Sequence, residues 1–277
     1  MWGFGYMDGF YIGNIVGSSY AHEFELLNMQ IKEFELFTER SNYSDDTILT
    51  FATIDWLLHT NHTSKEMIDI LKSYYERFPD KSPTIYGKDY VNWILSDSND
   101  FNTSSSNGGA MRASVIGWYA QDINELKELI DTSISPTHNT FEAKLGAEIV
   151  ALSVFFMKNG RSKDELKNYL DYTYDYYLDQ KLLLLRNSYE FTNDTKETVR
   201  PAIIAFLEST SFEDALRNAV SLGGDSDTIA NITCSIAGAY YQDIPNSILE
   251  KAKSYLPEEF VELLNEFKKK VVKGSAL

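Results

Sequence analysis

The chain has 277 residues, with 41 acidic against 25 basic side chains, a formal charge of −16 and a pI near 4.7. That balance repels nucleic acid and anionic membranes, so neither is expected as a partner. At 43% hydrophobic and 14% aromatic residues it is too apolar for disorder and long enough for one domain with a real core, yet no apolar run reaches spanning length.

In chain order, the start Met1–Asp8 carries an acid and lacks a cationic segment, so no secretory signal is expected. Helical periodicity then dominates. The apolar spacing predicts helices over 46–59, 64–78, 88–96, 109–120, 123–132, 141–158, 163–178, 199–208, 212–222, 227–241, 247–254 and 257–271. Ser64, Ser162 and Ser211 each stand before acids in a first turn and are read as N-caps. The clearest amphipathic face is Ile229, Ile232, Thr233, Ile236, Ala237 and Tyr240. The polar run Ser96–Gly109 reads as a long surface loop and 187–198 as a connector. No series of alternating strands and no linker divides the chain. The expected fold class is all-α, a single compact multi-helix domain over 1–277, with 1–6 as an N-terminal extension. The lone Cys234 falls in a helical pattern as a buried small hydrophobe, excludes an internal disulfide and fits a cytoplasmic setting.

Two acidic strings nearly repeat each other at helix starts: Ser44-Asp45-Asp46-Thr47 and Asp225-Ser226-Asp227-Thr228. The plainer explanation is a pair of capped helices, since such caps are common. It is weaker for the second string, because one cap needs only one acid. Clustered carboxylates repel unless a proton or cation neutralises them, and carboxylates with hydroxyls suit a hard divalent cation or two. Gly223-Gly224 before the second string allows a tight turn with positive φ. Asn107-Gly108-Gly109-Ala110-Met111-Arg112 is a glycine-rich turn of the kind that offers N–H groups to an anion, or an ordinary loop-to-helix junction. His138, in Thr137-His138-Asn139, is by itself an unremarkable histidine, and His22, His59 and His62 suggest no function.

At these residues the chain resembles the ADP-ribosylglycohydrolase family, including the dinitrogenase-reductase-activating type. The matching segments run in order from about Gly13 to Pro245: Gly13-Asn14-Ile15-Val16-Gly17-Ser18, Ser44–Thr47, Asn107–Arg112, Thr137-His138-Asn139 and Gly223–Thr228. The last is the most specific. The resemblance implies an all-helical fold around two Mg²⁺ or Mn²⁺ ions, held by Ser44, Asp45, Asp46, Asp225, Asp227 and Thr228. It further implies that Asn107, Gly108, Gly109, Ala110, Met111 and His138 hold the ADP-ribose. A catalytic glutamate follows the Gly-Ser pair in the family; Glu25 is favoured here by counting back from Lys32, Glu23 by its Glu-Phe dipeptide. Asp46 and Asp227 join it as catalytic candidates.

The implied function is hydrolysis of the bond joining ADP-ribose to a side chain, by water activated at the cations attacking the anomeric carbon of the distal ribose. The substrate is then an ADP-ribosylated protein or ADP-ribose derivative of arginine or serine type, and a monomer is the expected state. Besides a small insertion in the loop that holds Glu23 and Glu25, two positions depart from the family. Asn14 stands where the family has an acid, and Thr140-Phe141 where it has His-Pro. Those departures motivate a rival reading, a catalytically weakened ADP-ribose- or nucleotide-binding protein. A scaffold protein and a metal-dependent phosphohydrolase are further alternatives.

Overall fold

The computed structural model describes residues 4–21, 31–79, 85–96 and 100–274. A short 3₁₀ turn, Phe4–Asp8, leads into α1 (Gly9–Ser18). There follow α2 (Asp45–His59), α3 (Ser64–Arg77), α4 (Lys88–Ile94), α5 (Ser114–Tyr119), α6 (Ile123–Ile134) and α7 (Phe141–Lys158). The second half holds α8 (Lys163–Tyr174), α9 (Leu182–Ser188), α10 (Thr195–Leu207), α11 (Phe212–Val220), α12 (Ser226–Tyr241), α13 (Asn246–Lys253) and α14 (Glu258–Gly274). Among the described residues there is no strand, only two isolated bridges, Thr103 to His138 and Ser106 to Asp194. No helix among the described residues is long and apolar enough to cross a membrane.

Most predicted helices form within a few residues of their expected limits, and two were not anticipated. One is α9. The other is α1, which is central to the fold. Gly9, Gly13 and Gly17 depress its helix propensity, so the sequence reads as a glycine motif rather than a helix. Their spacing of four puts all three on one face, and that face lies against α12, forming the most extensive helix pair among the described residues. A Cβ on Gly9 would stand 2.0 Å from the Cys234 carbonyl oxygen. One on Gly13 would stand 2.1 Å from that of Ala230, and one on Gly17 2.5 Å from that of Ser226. The backbones touch because no side chains intervene.

That packing also corrects the reading of α12. It has no single apolar face. Ala230, Asn231, Cys234 and Ser235 are buried along with the predicted Ile229, Ile232 and Ile236, and the helix is open to solvent only at its ends, with Asp227 and Tyr241 half-buried and Tyr240 exposed. α12 is the axis of the fold, with α1, α11, α10 and α7 around it. Tyr6 belongs to this assembly: its carbonyl meets Gly238 and its ring packs on Trp118.

Local chemistry sets the remaining boundaries. Ser162 and Ser211 cap α8 and α11 as expected, the former in a reciprocal box with Glu165. Thr63, not Ser64, caps α3, because Thr63 and Glu66 have the spacing that closes the box. Asp194 accepts from the N–H groups of Lys196 and Glu197, so α10 starts at Thr195 rather than 199. Residues 107–113 form tight turns, with Met111 N–H bonded to the Asn107 carbonyl, so α5 begins at Ser114.

Candidate active site

The two acidic strings, Ser44–Thr47 and Asp225–Thr228, are remote in sequence but face each other. Each opens a helix, so the N-termini of α2 and α12 point into one region, with the middle of α1 closing its floor. The cap explanation fails at both strings. Ser44 is the N-cap residue of α2 and Asp225 that of α12, yet neither side chain accepts a backbone N–H from the first turn of its own helix. Ser44 instead donates its hydroxyl across to Asp227 Oδ2 at 3.0 Å, with Asp46 Oδ2 at 3.4 Å. Thr228 Oγ1 donates to the same Asp46 oxygen at 3.2 Å. Gly223 and Gly224 take φ of 73° and 64°, the left-handed turn that swings Asp225 inward.

Asn14 lies at the centre of this cluster. Its carbonyl oxygen accepts from the Ser44 N–H at 2.9 Å and from Thr47 Oγ1 at 2.7 Å. Its amide nitrogen donates to Ser44 Oγ at 2.7 Å and to Asp227 Oδ2 at 3.3 Å. A backbone N–H only donates, so the orientation of the amide is fixed.

The electrostatics are those of crowded acids. Burial, then the charges of Asp227, Asp45 and Asp225, push the Asp46 carboxyl well above the usual carboxylate range, against a hydrogen bond from Thr228. Burial and the neighbouring Asp227 charge do the same to Asp225, against the 2.7 Å bond from Asn107 Nδ2. Asp46 Oδ1 is buried and has no hydrogen-bond partner among the described residues. An orphaned carboxylate oxygen among like charges wants a cation or a proton. Two helix N-termini offset part of the negative charge but do not supply that partner.

Among the described residues, no group of three or more His, Cys, Asp or Glu side chains is gathered closely enough to hold a metal ion. The acids are instead interleaved with the hydroxyls of Ser44 and Thr228. Mg²⁺ typically takes one or two carboxylates and completes its shell with other oxygens and water, so an oxygen set of this composition with one unpartnered carboxylate oxygen suits it. Ser44, Asp45, Asp225 and Asp227 are half-buried, which leaves the cluster open on one side, while Asp46 and Thr228 are buried beneath.

The 107–112 turn meets the cluster at one point. Asn107 is buried, and its amide bridges Asp225 and Thr198 Oγ1. Gly108 is half-buried, whereas Ala110 and Met111 belong to the hydrophobic core. Arg112 turns away from the acids. Its buried guanidinium donates to the Ser133 carbonyl and Thr137 Oγ1, and so anchors the 133–137 turn. His138 stands behind Gly108, 3.1 Å from where a Cβ would be, with Ser106 Oγ at Nε2 and Thr137 Oγ1 at Nδ1. Burial and the Arg112 charge push its pKa down to about 3, so the ring is neutral. Thr140 caps α7, and Phe141 beside it is exposed. Glu23 and Glu25 lie outside the described residues.

Sequence reading missed three participants. Thr198 and Tyr189, whose ring covers Gly224, carry no local signal. Asn14 was visible as a departure from a motif but not as the hub of a network. A surface cavity of about 580 Å³ is lined by Ile123, Phe155, Phe156 and Tyr169 among others and includes none of these residues. An apolar hollow is an ordinary first guess for a binding site, but the polar chemistry lies elsewhere.

A family model described as ADP-ribosylglycohydrolase matches residues 5–275. The chain is 25% identical to the ADP-ribosylhydrolase ARH3 of Homo sapiens, over 91% of this chain and 89% of that protein. It is 24% identical to the protein of the same name from Gallus gallus, over 78% and 75% respectively. A solved structure, an ADP-ribosylglycohydrolase-related protein complex, shares the fold with a TM-score of 0.69 over 96% of both chains, at 20% identity.

Proposed function

From the premise that the chain belongs to the ADP-ribosylglycohydrolase family, we propose that it is a divalent-cation-dependent hydrolase that releases ADP-ribose from a modified side chain. The observation that carries this reading is the Ser44–Asp227 contact. Two helix-start residues forgo their own caps to assemble one oxygen cluster around an unpartnered Asp46 oxygen.

Ser44, Asp45, Asp46, Asp225, Asp227 and Thr228 would hold two Mg²⁺ or Mn²⁺ ions. When bound, such ions supply Lewis acidity to the sugar hydroxyls and to the attacking water. The protein's own groups do the rest. Asn107 holds the Asp225 carboxylate through its amide N–H. Gly108, held against the neutral His138 ring, gives the ligand a close backbone wall, and Gly109 beside it shares that support. Ala110, Met111 and Arg112 anchor the turn from the core. Glu25, or Glu23, would accept the proton of the water that attacks the anomeric carbon. Such base assistance typically contributes about 10²–10⁴-fold, and the transition state would be oxocarbenium-like as in other glycosyl cleavages.

Peptides ADP-ribosylated on arginine or on serine, assayed for ADP-ribose release with Mg²⁺ and after EDTA, test the proposal. Release that needs the cation supports it; release undiminished by EDTA ends the cation mechanism. A second reading is favoured by the neutral Asn14 and the looseness of the acid cluster: binding of ADP-ribose with little turnover. Saturable ADP-ribose binding together with no release from either peptide would select it.

A further inference from the structure

Asn14 puts a neutral amide where the surrounding side chains are acids and hydroxyls. All of its hydrogen-bonding capacity is spent within the cluster. The carbonyl takes the Ser44 N–H and the Thr47 hydroxyl, and the NH₂ faces Ser44 Oγ and Asp227 Oδ2. The Gly13 and Gly17 contacts press α1 onto α12, so the amide cannot withdraw from Asp227. An aspartate at position 14 would keep the two accepting bonds through one oxygen. Its second oxygen would then stand at the amide nitrogen's place, 3.3 Å from Asp227 Oδ2. Two carboxylate oxygens that close repel unless a cation or proton joins them.

We propose that Asn14 is a built-in counter-dipole and positioning residue that holds Ser44 and Asp227 in place without a cation, at the expense of cation affinity. The site is thereby assembled before any ion arrives and binds ions more loosely than an acid at this position would allow. This rests on the divalent-cation reading above for its affinity arm only.

The test compares wild type, Asn14→Asp, Asn14→Ala and the exchange Asn14→Asp/Asp227→Asn. Thermal unfolding is measured in EDTA and Mn²⁺ binding by titration calorimetry. Asn14→Asp should lower the Tm in EDTA by about 2–4 °C and bind Mn²⁺ about tenfold more tightly. Asn14→Ala should also lower the Tm but without tighter binding. The exchange puts the amide at 227 facing the carboxylate at 14, so it should recover most of the Tm lost by Asn14→Asp. An Asn14→Asp protein as stable in EDTA as wild type, or one binding Mn²⁺ no more tightly, overturns the proposal. If Asn14→Asp does not fold, an exchange protein no more stable than Asn14→Ala overturns it instead. A wild type that binds no Mn²⁺ defeats the cation reading separately, while the EDTA comparison still decides the role of the amide.

Discussion

Ser44 Oγ lies 3.0 Å from Asp227 Oδ2, across 183 positions of sequence, and that bond replaces the cap Ser44 would otherwise make on its own helix. A serine at a helix start is usually worth about 1 kcal/mol because it caps; here its value is in joining two helix N-termini. Ser44→Ala should therefore differ from Ser211→Ala, which removes a cap bonded to the Asp214 N–H. Ser211→Ala should lose about 1 kcal/mol of stability with divalent binding intact. Ser44→Ala should weaken divalent binding and turnover. Urea unfolding of both variants, with Mg²⁺ titrations, separates them.

Asp46 is buried, orphaned at one oxygen and surrounded by like charges. Neutralising it should relieve the metal-free protein and disable the site at once. Asp46→Asn is expected to raise the Tm in EDTA by about 2–4 °C, to abolish the Tm gain on adding Mg²⁺ and to remove turnover. A lower Tm in EDTA would mean that the Asp46 carboxylate is well satisfied in the absence of ions.

The glycine face of α1 sets the distance between Asn14 and the α12 acids. A methyl group on Gly13 has nowhere to go, with the Ala230 carbonyl at 2.1 Å. Gly13→Ala should cost about 3 kcal/mol or more, at the upper end of overpacking effects, and carry divalent binding away with it. Gly87, the N-cap residue of α4, whose added Cβ meets nothing within 4 Å, is the control, and Gly87→Ala should cost no more than about 1 kcal/mol. Thermal melts of the pair suffice.

His138 supplies a pH test. Its pKa is pushed from 6.5 to about 3 by burial and the Arg112 charge. The unfolded chain binds the proton at higher pH than the folded one. Its contribution is therefore present above pH 6.5 and is lost as pH falls through the window from about 6.5 to about 3. Relative to His138→Gln, wild type should lose about 2 kcal/mol between pH 7 and pH 5. Urea midpoints of both proteins at the two pH values measure it; a constant difference would mean that the buried ring accepts a proton freely.

Much of the protein is written locally. Apolar spacing placed most helices, Ser162 with Glu165 and Ser211 with its acids marked true starts, and Gly223-Gly224 announced a left-handed turn that the backbone adopts. These are properties of a few consecutive residues, so they survive in the sequence. The two acidic strings were legible as residues but not as a pair, because a cap and a ligand present the same letters. Only their partners tell them apart, and those partners lie on another helix. Gly9, Gly13 and Gly17 misled for the same reason: they disfavour a helix in isolation and favour it once α12 lies against them. Tertiary structure likewise decided that the Arg112 guanidinium is buried against the 133–137 turn, and that Asn14 bonds to both Ser44 and Thr47. Propensity and capping act over one helical turn; close backbone contact and the meeting of like charges exist only when distant segments share a volume.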